Sequence, residues 1–373
     1  MKRSLVTMAT TASLALASSE TKTPSQAPGL SKALLEKVHL KSDLRLRYES
    51  IERDDAKNVY RNRYRFRIGA EVDMTKHLRF DAGMRSGFGN PTSGNQTFLD
   101  DKPLQDYFFQ SLRFYILGLT YHDEHDTVKI GREAYMMYRP VKSQLVWDND
   151  VSLNGVNYRY EDKTRTVVFG VNRPSWEEKA VSEKEVNLFL AQYVQKISLQ
   201  ENTLSVGAGI YWYEGLKGNT PLFGNSKGNT LVDGRYAYDY HLVEGFLEWE
   251  GTLFGKPLKT AAGFVWNTAT SKNNLGCDLA LQVGKAKKVG DWQVKYSYTN
   301  LQEDAAFGAY TDSDNFGGGT AARGHAVRAK YKMGEKLYFG GNFFFDKLYE
   351  SKSKVEGMEP DYRRVQLDVI VKF

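Results

Sequence analysis

The chain has 373 residues, of which 51 are Lys or Arg and 45 are Asp or Glu, so its formal net charge is +6. This modest excess does not favour a nucleic-acid binder, whose positive charge would cluster on one face or helix. The single cysteine, Cys277, excludes an intramolecular disulfide. No apolar run reaches the roughly eighteen residues that a membrane-spanning helix needs, and the mean hydropathy is negative.

The N-terminus has the order of a secretory signal. Lys2 and Arg3 precede an apolar run over residues 5–16, and small residues follow up to Ala17. This pattern predicts a signal peptide over residues 1–17, which is cleaved on export. Removal of the two cations lowers the net charge to +4. Residues 18–37 are polar, and we assign them to an N-terminal periplasmic segment.

The stretch Val59–Val72 has two faces that alternate residue by residue. One face is mostly apolar and includes Tyr64, Phe66 and Ile68. The other face is charged: Arg61, Arg63, Arg65, Arg67 and Glu71. A strand directs successive side chains to opposite faces, so a membrane barrel would place the apolar set on lipid and the arginines in a water-filled lumen. A soluble β-sandwich would instead turn the four arginines to bulk water.

Sixteen segments have the composition of strands, and the first three share this plan. They are Val38–Glu52, Val59–Val72, His77–Arg85, Tyr107–Tyr121, Thr127–Met137, Gly155–Glu161, Arg165–Arg173, Glu185–Ser198, Thr203–Glu214, Tyr238–Glu250, Pro257–Asn267, Leu275–Lys285, Asp291–Thr299, Arg323–Met333, Lys336–Lys347 and Tyr362–Phe373. An even number permits up-and-down closure with both termini on one side. The load of 23 Tyr, 20 Phe and 6 Trp fits aromatic rings at both membrane interfaces.

The connections between these segments alternate in length. Every second one is a tight turn, such as 162–164, whereas the others are mostly long and rich in Gly, Asn, Asp and Ser, as in 215–235 and 302–322. Long loops at one rim and tight turns at the other are typical of bacterial outer-membrane barrels. A soluble sandwich has no reason for this alternation. The predicted fold is therefore all-β, a transmembrane up-and-down antiparallel barrel of about 16 strands over residues 38–373.

The C-terminal segment alternates apolar and polar residues and ends on Phe373. The last strand must pair with the first, because unpaired backbone groups in hydrocarbon cost several kcal/mol each. A terminal aromatic residue on such a strand is similar to the signal that the outer-membrane assembly machinery reads.

The sequence resembles the putative porin family of Gram-negative outer membranes. The resemblance is densest over residues 44–161, in the arginine-rich strand, the loop G-N-P-T-S-G-N-Q-T-F-L-D-D and the stretch L-V-W-D-N-D-V-S-L-N-G-V-N-Y. It implies a 16-stranded porin in the outer membrane that passes small hydrophilic solutes and ions by passive diffusion. It also implies contacts with outer-membrane lipid, lipopolysaccharide and the assembly machinery, and it is compatible with a homotrimer. We expect no cofactor, no metal, no catalytic residue and no nucleic-acid partner.

The inward positions of the strands are the candidate functional surface of such a channel. Strict alternation breaks after Gly131, so the pattern does not define the side to which Arg132 points. The predicted pore-lining residues are Arg45, Arg47, Glu49, Arg61, Arg63, Arg65, Arg67, Arg79, Asp81, Arg85, Arg113, Lys129 and Arg159. A wall of arginines opposite acidic groups would set a transverse field with a slight anion preference. The alternative is that these side chains only solvate the inner wall.

A loop that folds into the barrel is predicted over Met136–Ser152. Leu145, Val146 and Trp147 form an apolar triplet, which is costly in a solvent-exposed loop unless it packs. Trp147 could instead begin the sixth strand or lie at the interface. The predicted constriction residues are Arg139, Lys142, Trp147, Asp148 and Asp150, with both aspartates facing the arginines.

Two other classes of function were weighed. A barrel lipase or protease needs a histidine beside a nucleophile or an acid, and His122 and His125 in H-D-E-H-D would bind a metal only if that turn were helical. An adhesive or structural role would use the Gly/Asn-rich loops 215–235 and 302–322. Neither loop composition nor histidine spacing favours these alternatives over a channel.

Overall fold

The computed structural model describes residues 36–87, 90–98, 112–174 and 184–373. The chain divides into two units, Met1–Glu36 and Lys37–Phe373. The predicted signal peptide and nearly all of the segment 18–37 lie outside the described residues, so both stay predictions.

Sixteen long strands, counted within the described residues, make up the second unit. They are β1 Val38–Arg53, β2 Ala56–Asp73, β3 Leu78–Arg85, β4 Arg113–His122, β5 Asp126–Ala134, β6 Ser152–Glu161, β7 Arg165–Asn172, β8 Asn187–Leu199, β9 Asn202–Glu214, β10 Tyr240–Leu253, β11 Lys256–Asn267, β12 Leu275–Gly284, β13 Trp292–Leu301, β14 Ala322–Lys332, β15 Leu337–Leu348 and β16 Asp361–Lys372. Short strands at Gln96–Thr97, Leu231–Val232 and Arg235–Tyr236 and 3-10 turns at Pro140–Lys142, Gly308–Tyr310, Asn315–Gly317 and Glu350–Lys352 lie in the connections.

Each long strand pairs antiparallel with its neighbours in sequence, and β1 pairs with β16 to close the sheet. In that closing ladder Leu46 lies opposite Val369, and the backbone of Phe373 exchanges hydrogen bonds of 3.1 Å with Ser42. Among the described strands, closure leaves this sheet without an open edge, as a strand assembly in hydrocarbon requires. The all-β barrel predicted from the sequence is confirmed.

The described strands show the two faces that the sequence predicts. Leu46 and Ile68 are 48% and 44% exposed on the outside. Arg65, which points to the opposite face of its strand from Ile68, is 7% exposed. Outward apolar side chains with inward polar ones are the arrangement of a membrane barrel. None of the helices among the described residues has the length and apolar character of a membrane-spanning helix.

Several strand boundaries differ from the prediction by one to three residues. β4 is described from Arg113, and its predicted start at Tyr107 lies outside the described residues. β5 ends at Ala134 rather than at Met137. The physical reason is that Met136 and Met137 are 7% and 5% exposed and belong to a hydrophobic core inside the barrel, which draws the chain off the wall.

The connections alternate as predicted. The turns 74–77, 123–125, 162–164, 200–201, 254–255, 285–291 and 333–336 form one rim. The opposite rim carries the long loops, with one exception: the tight turn at 54–55 joins β1 to β2. Short turns face the periplasm and long loops the exterior in barrels of this kind. We therefore call the second rim the outer rim.

Candidate functional site

The inner face of β1, β2 and β16 forms an arginine wall. Its members are Arg45, Arg47, Arg61, Arg63, Arg65, Arg67 and Arg364. Most of these cations are paired with a carboxylate. Arg47 makes a two-pronged bond to Asp368, with nitrogen to oxygen distances of 2.7 and 2.8 Å. Asp43 accepts from Arg65 at 3.0 Å and from Arg67 at 2.6 Å.

Glu49 is the acidic centre of this wall. Its carboxylate is fully buried, with ion pairs of 2.5 Å to Arg61, 3.5 Å to Arg63 and 2.5 Å to Arg364. Gln366 donates a further hydrogen bond at 3.1 Å. Because a buried charge is tolerated only when it is paired and hydrogen-bonded, this network fixes the side chains of three strands in one geometry.

Arg45 is the exception in the arginine wall. Its guanidinium donates to the Asn95 side chain at 2.5 Å, and no carboxylate among the described residues lies within 4.0 Å of it. Its charge is therefore less compensated than those of its neighbours.

The remaining predicted pore-lining residues of β3 and β5 also carry local partners. The Nε of Arg79 lies 2.7 Å from Asp81, which accepts a 2.6 Å hydrogen bond from Thr120. Lys129 lies 3.6 Å from Glu133 on the same strand. Arg79 and Lys129 therefore each have a partner of opposite charge on the same strand.

Arg85 and Arg159 contact the loop that follows β5, and Arg113 lies beside Arg85. Arg85 donates to the backbone oxygen of Asp150 at 3.1 Å, and Arg113 lies opposite Arg85 in the β3–β4 ladder. Arg159 donates to the backbone oxygen of Met136. Arg85 and Arg159 therefore hold the two ends of the loop that follows β5.

Gly131 kinks β5 directly before Arg132. Gly131 has φ of +106°, a backbone conformation that side-chain-bearing residues rarely adopt, and a Cβ there would lie 2.6 Å from the Leu117 oxygen. This kink explains why the alternation in the sequence stops after Gly131. Arg132 itself is exposed and lies opposite Leu117 in the β4–β5 ladder.

Residues 135–151, which we call the Trp147 loop, fold into the barrel. Trp147 is 1% exposed and packs edge-on against Tyr211 of β9, with ring centroids 5.1 Å apart. Leu145 and Val146 are each 3% exposed in the same hydrophobic core. An apolar triplet that would be costly in water is thus buried against the inner face of the barrel.

Buried acids hold the loop from behind. Glu248 accepts from the Tyr138 hydroxyl at 2.7 Å and from the Val141 backbone N–H, while Asp278 accepts from the Ser143 hydroxyl at 2.5 Å. The loop therefore satisfies carboxylates that β10 and β12 point inward. Sequence reasoning missed this role.

The predicted constriction residues have different environments. Arg139 donates to Ser143 O at 3.1 Å and Trp147 O at 2.9 Å, so its guanidinium stabilises the loop by bonds to the loop's own backbone. Lys142 is exposed beside a cavity. The Asp150 carboxylate lies 3.3 Å from both Arg65 and Arg67.

Asp148 does not contact the arginine wall, contrary to the expectation for it. Its carboxylate accepts the backbone N–H of Asp150 at 2.8 Å and that of Ser313 at 2.9 Å. The backbone N–H of Asp148 in turn donates to Tyr310 O at 2.7 Å. Asp148 therefore joins the Trp147 loop to a second loop rather than to the wall.

Residues 302–321, which we call the Asp314 loop, are this second inward element. Phe307, Tyr310 and Phe316 are at most 2% exposed, and Tyr310 lies 5.9 Å from Trp147 between ring centroids. The sequence analysis considered this stretch only as a long Gly/Asn-rich connection and did not predict that it folds inward. Three aromatic residues in a loop are the same apolar signal as the Trp147 triplet and could have revealed it.

The glycines of the Asp314 loop serve close packing. Gly317, Gly318 and Gly319 all have positive φ, and a Cβ at Gly319 would lie 1.9 Å from the Lys227 oxygen. Only glycine allows this left-handed run to pass so close to the loop 215–239. The glycine-rich composition here therefore indicates a close backbone contact rather than a flexible backbone.

Asp314 connects this loop to the arginine wall. Its carboxylate lies 3.3 Å from Arg47 and 3.0 Å from Arg364, and it accepts from Gln366 at 2.9 Å. The backbone oxygen of Asp314 accepts a further bond from Arg364 at 2.8 Å. The loop tip is thus anchored to β1 and β16.

Two cavities lie beside the arginine wall. The inner cavity, of about 260 Å³, borders Arg45, Arg65, the Trp147 loop and β12 to β16. The outer cavity, of about 340 Å³, opens toward the outer rim beside Arg53. Thr92, Ser313 and Asp314 line both, so these residues form the partition between them.

The electrostatics of the loop aspartates differ. Burial raises the pKa of Asp148, and the neighbouring Asp150 and Asp312 raise it further. Burial acts in the same direction on Asp150 and Asp314, but the surrounding arginines outweigh it and hold both pKa values below the ordinary range. The two carboxylates that meet the arginine wall are therefore ionised anchors.

The histidines among the described residues are dispersed. His77 contacts the His122 oxygen at 3.1 Å in the inner turns, His241 stacks on Trp212 at 3.5 Å, and His325 bonds Tyr296 at 2.8 Å. Among the described residues no group of three His, Cys, Asp or Glu side chains is placed to hold a metal ion.

The family model described as Putative porin matches residues 52–230 and 258–373. The chain belongs to this family. The porin fold agrees with solved structures at low sequence identity. OprB of Pseudomonas putida at high pH has a TM-score of 0.61 at 15% identity, covering 92% of this chain and 96% of that one. OmpF of Salmonella typhi in complex with daunomycin has a TM-score of 0.52 at 14% identity, covering 90% and 97%.

No curated protein matches this chain in sequence. The family and the closed 16-stranded barrel nevertheless make the protein an outer-membrane channel for solutes rather than an enzyme. This agrees with the class of function predicted from the sequence.

Proposed function

We propose that this porin is a water-filled channel for passive diffusion of small hydrophilic solutes and ions, with an arginine-lined lumen and a slight preference for anions. Solutes would pass from the outer cavity, past Asp314, into the inner cavity between the Trp147 loop and the arginine wall. The pore-lining and constriction roles of the residues above belong to this proposal.

The charge on the two cavities is the observation that carries the proposal. The inner cavity is lined by six Lys or Arg and four Asp residues, and the outer cavity by seven Lys or Arg and one Asp. A lumen with an excess of fixed positive charge lowers the energy of an anion more than that of a cation. Carboxylates offset most of this charge in the inner cavity, hence a slight preference there.

The experiment is the reversal potential of the purified porin in a planar bilayer with asymmetric KCl. We expect a sign that corresponds to chloride preference. Arg45→Glu should move the preference toward potassium, because Arg45 has no carboxylate partner among the described residues and its reversal breaks no ion pair. Lys163→Glu, in an exposed turn at the opposite rim, is the matched control.

An unchanged ion preference in Arg45→Glu would contradict the proposal. So would the absence of any conductance. Contacts with lipopolysaccharide, the assembly machinery that would read Phe373, signal-peptide cleavage and a homotrimer stay predictions. An adhesive role is not favoured, because the loops 215–239 and 302–321 pack on each other, with Asn229 donating to Glu303 O and Ala306 O.

A further inference from the structure

The outer cavity carries more positive charge than its surroundings neutralise. It lies between the outer ends of β1, β2 and β16 and the loops of the outer rim, and four arginines and three lysines line it against the single carboxylate of Asp314. Its volume of about 340 Å³ is at the lower end of the range for small-molecule sites.

The arginines of this cavity have acidic partners just behind its surface. Arg61, Arg63 and Arg364 share Glu49, and Arg53 pairs with Asp55 at 2.6 Å. Each of these four guanidinium groups therefore already has a carboxylate partner.

The three lysines are different. Lys57, Lys227 and Lys354 form no ion pair with any carboxylate in the part of the chain that the structure describes. They come from β2, the loop 215–239 and the loop 349–360, so three separate elements converge on one cavity. Asn90, Thr92 and Ser93 add amide and hydroxyl groups to its wall.

The pKa shifts of two lysines in the surrounding loops agree with a lack of negative charge around the outer cavity. Burial lowers the pKa of Lys227. Burial, followed by the charge of Lys227, lowers the pKa of Lys352 to about 7. The Lys352 ammonium group donates to Gly318 O at 2.7 Å and Thr320 O at 3.0 Å, behind the glycine run that lines the cavity. An anion in the cavity would stabilise both ammonium groups.

We propose that the outer cavity is a binding site for small organic anions that carry two or more negative charges, held by Lys57, Lys227 and Lys354. The proposal rests on the channel function above and names its preferred solute class. Coulomb attraction grows with the charge of the solute, so a polyanion is retained where chloride passes. The polar groups of Asn90 and Ser93 can bind hydroxyl or further carboxyl oxygens of such a solute.

The test is the block of chloride current by citrate, a tricarboxylate, in a planar bilayer at neutral pH. Citrate added on the side of the long loops should reduce the current with a saturable concentration dependence. Acetate, with one charge, should not do so over the same range. Wild-type chloride current without any saturable citrate block would overturn this proposal while leaving the channel function intact.

Variants locate the site. The pair Lys227→Gln and Lys354→Gln should weaken the apparent citrate affinity at least tenfold, and the pair Lys227→Arg and Lys354→Arg should retain it, because the charge is kept. Lys272→Gln, exposed in the loop 268–274 of the same rim and outside both cavities, is the control. Equal block in the glutamine pair and the control would overturn the proposal. Absent chloride current in wild type would instead contradict the channel function.

Discussion

The two halves of the barrel interior satisfy their polar groups in different ways. On the side of β8 to β12, Glu248 and Asp278 are covered by the Trp147 loop and bonded to its backbone and hydroxyl groups. On the side of β1, β2 and β16, Asp150 and Asp314 meet arginines, and cavities remain beside them. The covered half resembles the core of a soluble protein, whereas the other half is a charged surface.

The difference shows that the inward loops are amphipathic elements. Their aromatic side chains, Trp147, Tyr310 and Phe316, pack in the interior core, whereas Asp150 and Asp314 point to the arginine wall. The apolar half supplies the burial free energy that draws the loops inward, and the ionic half fixes their distance from the wall. The two cavities consequently lie beside the arginine wall.

Removal of the aromatic anchor should have the largest effect. Trp147→Ala deletes a side chain that is 1% exposed, and we expect a loss of roughly 3–5 kcal/mol of stability from the cavity left behind. The Trp147 loop should then detach from the inner face of β9, and the single-channel conductance should rise. Thermal unfolding in detergent and bilayer recording measure the two effects.

Trp212→Ala is the matched control, because Trp212 is 43% exposed on the outer face of β9. It should leave the conductance unchanged. An unchanged conductance in Trp147→Ala would show that the covered half does not position the loop.

Neutralisation of the ionic anchor should have an intermediate effect. Asp314→Asn removes the charge that faces Arg47 and Arg364 but keeps an acceptor for Gln366, so we expect a loss of roughly 1–3 kcal/mol. The reversal potential should shift further toward chloride, because Arg47 and Arg364 each lose one of their two carboxylate partners. Asp233→Asn, exposed in the loop 215–239, should change neither quantity.

Acidification should have the smallest effect. Arginines lower the folded-state pKa of Asp150 and Asp314, so these carboxylates contribute stability above the ordinary carboxyl pKa of about 4, and this contribution is lost only as the pH falls through the lower folded value. Conductance should therefore show no step between pH 7 and about pH 4. A stepwise increase at pH 5 to 6 that is retained in Asp148→Asn, which removes the carboxyl of raised pKa, would mean that the ion pairs do not hold the loops.

The barrel was predictable because its signals are local and repeated. In Val59–Val72 neighbouring residues point to opposite faces, so apolar and charged side chains alternate. This period of two specifies both the strand and the direction of its side chains. The Trp147 loop was predictable for a similar reason, since an exposed apolar triplet is unfavourable in water.

The inward folding of the Asp314 loop was not predicted because its sequence fits both an unconstrained loop and a closely packed one. Its glycines also occur in unconstrained loops, and their requirement for positive φ beside Lys227 exists only in three dimensions. The pairing of Glu49 with Arg364, 315 residues apart, likewise has no local signal. The position of Asp148 depends on the backbone of Ser313, which no spacing rule reveals.

Cysteine accessibility at two adjacent positions of β15 tests most directly the claim that water fills the space beside the arginine wall. Asn342 lines the inner cavity, whereas Phe343 is 36% exposed on the outer face. In a Cys277→Ala background, a charged, membrane-impermeant thiol reagent should reduce the current through Asn342→Cys and leave Phe343→Cys unaffected. Reduced current in Phe343→Cys, or no effect at Asn342→Cys, would contradict the account.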